Sequence, residues 1–318
     1  MKQSILVGPR QSRIEERPIP AVGEEDVLVE VKACGVCTSE LPDWSGDNGR
    51  YPREIGHEVT GTVAAVGGRV KTVRPGMTVT GLFRPGFTEF AVTRKELVTP
   101  VPDGMGYTEA LGEPLACIMS GARRTPVEMA DTVALVGLGF MGLLMLQVIR
   151  LKGPARLIAI DTRPEAREQA LRIGADEVLA PDDVPARLML TEWGQLGGGF
   201  GVDVAIETSG TQGGLTLAGK LPHEHGVLSI VGFHQGGPRS VDMELWNWKA
   251  LQVINAHERR LDYLMDCMRR GLSLLAAGKI EMASLVTHRF ALDQVDGAFQ
   301  ALQSKSGGFI KAAVVAGR

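Results

Sequence analysis

Residues 132–161 read TVALVGLGFMGLLMLQVIRLKGPARLIAID, and this stretch decides the fold of the second half of the chain. Thr132 to Val136 is short, uncharged and rich in β-branched residues, which predicts a buried strand. Leu143 to Leu151 is apolar and rich in good helix formers, so it predicts a helix packed on a sheet. Leu157 to Ile160 is a second apolar run. The order of these segments predicts a strand, a crossover helix and a parallel strand.

Three glycines between the first strand and the helix have the GxGxxG spacing of a dinucleotide-binding turn. Gly137 permits the tight turn, Gly139 lets the backbone approach a pyrophosphate, and Gly142 lets the helix pack closely on the strand. The helix N-terminus offers free N–H groups and the positive end of its dipole to phosphates. Asp161 lies 19 residues past Gly142, where a carboxylate accepts hydrogen bonds from ribose hydroxyls. The residues of this stretch assigned to the cofactor are Gly137, Gly139, Phe140, Met141, Gly142 and Asp161.

The same stretch has two other interpretations. One is a strand–helix–strand unit that binds no ligand. The other is a membrane span, because residues 132–149 hold no charge over 18 residues, a length that only just reaches the threshold for a span. Three glycines, Gln147 and a second strand soon afterwards favour the globular unit.

The composition of the whole chain excludes several classes of protein. At 318 residues the chain is long enough for two domains. Lys and Arg number 34 against 37 Asp and Glu, a net charge of −3 with no block of like charge, so we expect neither a nucleic-acid nor a membrane partner. The N-terminus has no apolar signal region, and four cysteines are too few for a disulfide framework. We therefore predict a cytoplasmic protein.

The strand pattern divides the chain into a β-rich part and an alternating part. Short strands with Gly and Pro turns over residues 1–124 predict a small twisted barrel. Over residues 125–256, six strands alternate with helices, which predicts an α/β fold class with a doubly wound parallel sheet. Residues 257–318 begin with a helix and end in β-like sequence. We expect this tail to return to the first domain, so that the nucleotide domain is an insertion.

One thiol, one imidazole and two carboxylates in the first part have the composition of a catalytic metal site. Cys37 lies in GVCTSE, His57 and Glu58 lie in GHE, and Glu113 lies in GEPL. These donors suit a catalytic zinc that keeps one open position. Cys34 forms a CxxC with Cys37, but no second CxxC completes a four-cysteine site, so we interpret Cys34 as a small buried side chain. Taken singly, Cys37 would be better interpreted as a core cysteine and His57 as a structural histidine, and it is their spacing and their company that favour a metal site.

In this order, GVC-x-S, GHE, EPL and GxGxxG resemble the motifs of zinc-dependent medium-chain dehydrogenases. The likeness covers nearly the whole chain. Glu-Pro-Leu at the third ligand position is similar to the polyol, sorbitol and glucose dehydrogenase branch. The resemblance implies a GroES-like β-barrel catalytic domain at 1–124 and 257–318, and a Rossmann domain with a doubly wound parallel sheet at 125–256.

The resemblance also implies the metal ligands and their number. It assigns zinc to Cys37, His57 and either Glu113 or Glu58, with water in the open position. Many members of the family carry a lobe of four cysteines that binds a structural zinc. Here the run VTGLFRPGFTEF leaves no room for that lobe, so we expect one zinc per chain.

For the reaction, the resemblance implies reversible oxidation of a secondary alcohol with NAD as hydride acceptor. Zinc acidifies the substrate hydroxyl, and Ser39 relays its proton. Pro42 stands where the family often has a histidine that passes the proton on, so water, the cofactor ribose or another group must do this instead. A polyol, a cyclitol or a sugar alcohol is the expected substrate.

Further residues outside the glycine turn are assigned to the cofactor. Asp161 favours NAD over NADP because its carboxylate repels a 2′-phosphate, a repulsion that Arg163 partly offsets. Thr208 is expected at a strand's carboxyl end, where nucleotides bind. Lys311 matches a family position whose basic residue reaches the pyrophosphate. We expect a homodimer or homotetramer, in which the sheet edge near residues 251–254 pairs with its copy.

Two other functions stay open on the sequence. A zinc-free reductase of the quinone oxidoreductase type fits the missing lobe, but its chemistry needs no ligand set such as Cys37, His57 and Glu113. A crystallin-like nucleotide-binding protein without turnover would keep the fold, and the intact ligand set speaks against it. Metal analysis distinguishes the quinone-oxidoreductase type, which would contain no zinc, from a zinc dehydrogenase. An activity assay distinguishes the crystallin-like protein, which would show no turnover.

Overall fold

The computed structural model describes residues 1–315 of the chain. They form two compact units, one made of residues 1–117 and the segment from Arg259 onward, the other of Ile118–Glu258. The first boundary between these compact units follows Cys117, inside the helix Gly112–Arg124, which the sequence did not predict. The domain limits of 1–124, 125–256 and 257–318 stay a prediction. Residues 316–318, the end of the predicted 257–318 segment, lie outside the described part.

Strands and helices alternate through most of the second unit, with no α-helix described over residues 180–201, and the elements of the first unit are mainly strands. The strands are β1 (Lys2–Gly8), β2 (Gln11–Glu16), β3 (Asp26–Gly35), β4 (Arg53–Glu54), β5 (Glu58–Val66), β6 (Thr78–Gly81), β7 (Phe90–Arg94), β8 (Val98–Pro100), β9 (Thr132–Val136), β10 (Arg156–Ile160), β11 (Glu177–Leu179), β12 (Val202–Glu207), β13 (Pro222–Ile230), β14 (Gln252–Asn255), β15 (His288–Phe290) and β16 (Ala312–Val315). The helices are α1 (Leu41–Ser45), α2 (Gly112–Arg124), α3 (Phe140–Arg150), α4 (Pro164–Arg172), α5 (Gln212–Lys220), α6 (Met243–Trp248), α7 (Leu261–Ala276) and α8 (Val295–Ser304).

Two sheets make up the first unit. The larger runs in the order β15-β16-β3-β5-β6-β8, with β7 also paired to β3, and the smaller runs β2-β1-β4. Strand β3 is the hub, because it pairs antiparallel with β5, β7 and β16. Strand β16 therefore brings the end of the described chain back to the middle of the larger sheet.

The core of the first unit is closed by aromatic side chains from distant parts of the chain. Trp44 of α1 stacks on Phe299 of α8 with ring centroids 5.6 Å apart, and Phe87 meets the same ring edge-on at 6.0 Å. Phe309, just before β16, is buried in the same cluster. Because large aromatic rings supply much of the buried apolar area, α8 and the segment before β16 are integral to this unit.

A single parallel sheet forms the second unit, in the order β11-β10-β9-β12-β13-β14. All five strand pairs are parallel, and α-helices lie between most successive strands. This is the 3-2-1-4-5-6 order of a doubly wound nucleotide-binding sheet, in which the strand order reverses between the paired strands β9 and β12, the place where such sheets bind nucleotides. The predicted α/β class and the six predicted strands are confirmed.

The uncharged stretch of residues 132–149 contains a strand and most of a helix. Residues 132–136 form β9, and α3 begins at Phe140, one turn earlier than predicted. None of the helices described over residues 1–315 has the length and apolarity needed to cross a membrane.

Candidate metal centre and cofactor loop

Three potential metal ligands meet in the first unit, where β3 ends and β5 begins. The strands are antiparallel with Gly35 opposite Glu58, which brings Cys37, just after β3, next to His57 and Glu58 at the start of β5. One donor atom from each of Cys37, His57 and Glu58 lies within 4.8 Å of the other two. A sulfur, an imidazole nitrogen and a carboxylate oxygen on one point are the donors of a catalytic zinc site.

The fourth predicted ligand, Glu113, approaches the same centre from the first turn of α2. Its Oε2 lies 4.0 Å from His57 Nε2, but Glu113 falls outside the set of mutually close donors. The helix start is anchored, because the Gly112 N–H donates to Thr80 Oγ1 at 2.9 Å. The Glu113 side chain is therefore carried next to His57 by an anchored helix start, and its role as a ligand stays a prediction.

A buried carboxylate that the sequence analysis missed lies behind the histidine. Glu40 is 3% exposed, and its Oε1 accepts a hydrogen bond from the Gly56 N–H at 2.8 Å and lies 3.0 Å from His57 Nδ1. A carboxylate on the far nitrogen orients a metal-binding imidazole and raises its basicity. The sequence offers one indication of this contact, an acidic residue three positions after Cys37, but the turn that carries it was not predicted.

Lys311 lies in the metal cluster of the first unit. Its Nζ is 2.7 Å from Glu58 Oε1 and 2.6 Å from Oε2, and both residues are buried. Burial lowers the pKa of Lys311, but the charge of Glu58 and the nearby Cys37 outweigh this and raise it. The lysine is therefore held as a cation on Glu58, and its role at a pyrophosphate stays a prediction.

The electrostatics of the cluster fit a bound cation. Burial lowers the pKa of His57, but hydrogen bonds with Cys37 and Glu40 overcome this and raise it to about 12 in the metal-free chain. Burial raises the pKa of Glu113, His57 opposes the rise and the negative charge of Glu58 adds to it. Acidic groups thus lie around His57, and a divalent ion held by these side chains would offset their negative charge in place of the imidazole proton.

Two further side chains contact the proposed ligands directly. Ser39 Oγ donates to Cys37 Sγ at 3.2 Å, so the predicted proton carrier lies at the cluster. Cys117, which the sequence analysis did not assign, donates from Sγ to Glu113 Oε1 at 3.4 Å. Burial and the negative charge of Glu113 raise the pKa of the Cys117 thiol well above its usual value.

In the second unit, the glycines of the GxGxxG turn have distinct steric environments. Gly137 has φ of +99°, and a Cβ there would lie 2.6 Å from the Ser209 backbone nitrogen. A Cβ on Gly142 would lie 1.9 Å from the Gly137 carbonyl oxygen. A Cβ on Gly139 would meet nothing within 4 Å, so open space lies over that backbone. This pattern is the one expected of a turn that admits a pyrophosphate over its second glycine.

The other residues assigned to this turn have mixed environments. Phe140 and Met141 open α3, the first buried and the second half-buried. Thr208 follows β12, and its Oγ1 donates to the Gly137 carbonyl oxygen at 2.5 Å. Thr208 therefore holds the glycine turn in place through a hydrogen bond to the turn's backbone.

Asp161, at the end of β10, is engaged on both carboxylate oxygens. Oδ2 accepts the Leu138 N–H at 2.6 Å, and Oδ1 accepts the Arg163 backbone N–H at 2.8 Å and its Nε at 3.3 Å. The Arg163 guanidinium also donates to the Leu138 carbonyl oxygen at 3.2 Å. Asp161 and Arg163 thus tie the glycine turn to the start of α4.

Another buried acid, Glu207, joins the two loops that follow β12 and β13. Its Oε1 accepts hydrogen bonds from the N–H groups of Ser209 and Gly210 at 2.7 and 2.9 Å, and Oε2 lies 2.9 Å from His234 Nε2. The carboxylate is fully buried. Nothing local in the sequence links His234 to Glu207, because the contact forms only when parallel strands bring the loops together.

Two family models match the chain. Residues 23–103 match the alcohol dehydrogenase GroES-like domain, and residues 141–271 match the zinc-binding dehydrogenase domain. The first match covers the β3–β5 region that supplies the metal cluster, and the second begins within the glycine turn.

Full-length relatives point the same way. The sorbitol dehydrogenase of Bacillus subtilis is 28% identical, over 96% of this chain and 95% of the relative. That of Rattus norvegicus is 26% identical, over 93% of this chain and 91% of the relative. A zinc-binding dehydrogenase of Sinorhizobium meliloti solved with NADP has a TM-score of 0.85 and 25% identity, over 99% of this chain and 98% of the other.

We expect Glu40 to matter for metal affinity although it is not a proposed ligand. Glu40→Ala should weaken zinc binding by about 10- to 100-fold, because His57 loses the carboxylate that orients it. Competition with a chromogenic chelator measures this affinity. Glu30→Gln, at an exposed pair with Lys32, is the control and should bind zinc like the unaltered chain. Unchanged affinity in Glu40→Ala would contradict the assignment.

The sheet topology, the two domain matches and the relatives along the whole chain agree with one another. The cluster at the end of β3 and the glycine turn after β9 lie where the predicted metal and cofactor residues were expected. The chain belongs to the zinc-dependent medium-chain dehydrogenase family, on its polyol dehydrogenase branch.

Proposed function

We propose that the protein is a zinc-dependent oxidoreductase that reversibly transfers a hydride between NAD(H) and a secondary alcohol or ketone. The observation that carries the proposal is the clustering of donor atoms from Cys37, His57 and Glu58 within 4.8 Å of one another, with Glu113 Oε2 4.0 Å from His57 Nε2. A glycine turn with open space over Gly139, on the same chain, supplies a matching cofactor site. A zinc-free reductase has no use for the first of these features.

For the ligand set we favour Cys37, His57 and Glu113, with Glu58 kept beside the ion. Both oxygens of Glu58 are within 2.7 Å of the Lys311 ammonium, so its charge is already compensated. Glu113 is contacted instead by the Cys117 thiol, which donates to its Oε1, and its Oε2 faces His57. Three protein ligands leave a position open for substrate.

The residues around the centre would divide the chemistry between them. When bound, zinc supplies a Lewis acid that acidifies a substrate hydroxyl, and the nicotinamide cofactor supplies the hydride acceptor. Ser39 is held by its hydrogen bond to Cys37, so its oxygen lone pairs are left to accept the substrate hydroxyl proton. Glu40 keeps the His57 ring oriented through Nδ1.

The substrate class we propose is a polyol, a cyclitol or a sugar alcohol. Support comes from the names of the relatives, which are sorbitol dehydrogenases, and from glutamate in place of cysteine at the third ligand position. An alcohol with neighbouring hydroxyl groups suits a site rimmed by carboxylates, because each hydroxyl can donate a hydrogen bond.

For the cofactor we propose NAD. The Asp161 carboxylate lies at the end of β10, where it repels a 2′-phosphate, and its contact with Arg163 leaves that arginine partly neutralised. The relative from Sinorhizobium meliloti was solved with NADP, so direct comparison of the two cofactors is needed.

We also propose a cytoplasmic homodimer. The four cysteines are free, which suits a reducing compartment, and fractionation of the producing cell tests that placement. Strand β14 ends the sheet order, so one of its edges has no strand beside it in residues 1–315. Val253 on that strand and Met243 are exposed. A free edge with apolar side chains is a pairing surface for a second copy.

The activity test combines metal analysis with substrate oxidation. Protein purified without chelator should carry one zinc per chain and form NADH from members of a panel of polyols, cyclitols and simple alcohols. Cys37→Ala should no longer retain zinc, and its activity should fall by at least about 100-fold because a metal ligand has been removed. Its binding of NADH should stay measurable by fluorescence. Cys34→Ala, the other half of the CxxC, should keep zinc and turnover.

The outcomes separate the competing functions. Activity that survives in Cys37→Ala would overturn the site. A zinc-free chain that reduces activated alkenes would establish the quinone-reductase type, and NADH binding with no turnover on any substrate would establish a non-catalytic protein.

Cofactor preference depends on one charge. The unaltered chain should use NAD at least about tenfold better than NADP, judged by kcat/KM, which corresponds to about 1.4 kcal/mol. Asp161→Asn keeps a hydrogen-bond acceptor but removes the repulsion, so NADP use should improve. Glu165→Gln removes a neighbouring exposed charge and should leave the ratio unchanged. Equal use of both cofactors by the unaltered chain would refute the proposal.

The dimer is tested by sedimentation velocity. The unaltered chain should sediment as a dimer, and Val253→Lys should sediment as a monomer because a charged edge residue opposes strand pairing. Tyr107→Lys replaces an exposed apolar residue of the first unit and should leave the dimer intact. A monomer in the unaltered chain would exclude this arrangement.

A further inference from the structure

Cys117 occupies a position on α2 that gives it direct access to a proposed metal ligand. It lies four residues after Glu113, one helical turn along the same face. Its Sγ donates to Glu113 Oε1 at 3.4 Å. The contact is a thiol-to-carboxylate hydrogen bond in a half-buried position.

Because of this hydrogen bond, the two carboxylate oxygens of Glu113 have different neighbours. Oε1 faces Cys117, and Oε2 faces His57 Nε2 at 4.0 Å. The last torsion of a glutamate side chain is broad, so a carboxylate without a partner presents its oxygens in many orientations. A donor on one oxygen fixes the carboxylate plane and aims the other oxygen at the histidine side of the cluster.

The helix that carries both residues is held rigidly. The Gly112 N–H at its start donates to Thr80 Oγ1 at 2.9 Å. Leu115 packs so closely against Gly271 of α7 that a Cβ on Gly271 would lie 2.4 Å from Leu115 Cγ. The distance between Cys117 and Glu113 is therefore set by one fixed turn of helix, and the thiol can act on the carboxylate without any movement of the backbone.

We propose that Cys117 is a positioning residue of the metal centre, whose thiol hydrogen bond holds Glu113 in the orientation that binds the ion. The inference rests on the proposed function, because it takes Glu113 as a ligand. A partner of a ligand typically changes metal affinity by 10- to 100-fold when it is lost. A thiol is a weak donor, so the lower end of that range is expected here.

Zinc affinity of the variant proteins, measured by chelator competition, is the first test. Cys117→Ala should bind zinc about tenfold more weakly, whereas Cys117→Ser retains a donor and should stay within threefold of the unaltered chain. Cys267→Ala removes another buried cysteine of the same unit and is the control, with unchanged affinity expected. Equal losses in the Ala and Ser variants, or no loss in Cys117→Ala, would overturn the inference.

A double-mutant cycle shows whether the thiol acts through the carboxylate. Glu113→Ala should weaken zinc binding, and adding Cys117→Ala should then cost no more, because the group that the thiol orients is already gone. Additive losses would overturn the inference. If Glu113→Ala alone binds zinc normally, the ligand assignment of the proposed function fails, which is a different result from a failure of Cys117 alone.

Cobalt substitution distinguishes an orienting thiol from a ligating one. Cobalt bound through a thiolate has a near-ultraviolet charge-transfer band, and we expect that of Cys37 alone. The band should keep its intensity in Cys117→Ser and disappear in Cys37→Ser. A fall in intensity in Cys117→Ser would make Cys117 itself a ligand and would overturn the proposed role.

Discussion

The first unit depends on the electrostatic balance among acidic groups that converge on His57. Glu58 and Glu113 lie at this imidazole with the Cys37 sulfur. At an effective dielectric constant of about 20, two unit charges 4 Å apart interact by about 4 kcal/mol, so the 4.0 Å between Glu113 Oε2 and His57 Nε2 is close enough for a strong attraction to a protonated imidazole. Lys311 compensates Glu58, and the raised pKa of His57 supplies a second positive charge in the metal-free chain. The ligands are therefore held near one another before a metal arrives.

In the second unit, hydrogen bonds between side chains and backbone groups hold the loops in place. Its glycine turn is braced by Thr208 from behind and by Asp161 from the neighbouring strand end. Glu207 connects the loops that follow β12 and β13, because its buried carboxylate is hydrogen-bonded to Ser209 of the first loop and to His234 of the second. Fixed loops around an open backbone at Gly139 leave space for a ligand without loosening the sheet. Preorganisation of this kind lowers the entropy lost on binding.

Periodicity and motif spacing were enough to predict the nucleotide-binding sheet, because each of its strands is a compact apolar run beside a glycine or an acid. Helix α2 was missed, since Gly112 and Pro114 at its start look like a turn, and Cys117 was missed with it. Glu40 escaped notice because its partner is reached only through strand pairing. The contact of Lys311 with Glu58 joins residues 253 positions apart, a separation at which local sequence patterns carry no information.

The order of synthesis conflicts with the order of assembly in this chain. Strand β3 and the residues of the metal cluster up to Cys117 are translated early, yet β3 needs β16 as a neighbour and Glu58 needs Lys311. Domains generally fold as they leave the ribosome, so the inserted sheet, Ile118–Glu258, can be complete while the catalytic fold still lacks its last strand. Glu58 therefore gains its ammonium partner only after translation has passed Lys311, so this buried ion pair is among the last contacts that the chain can form.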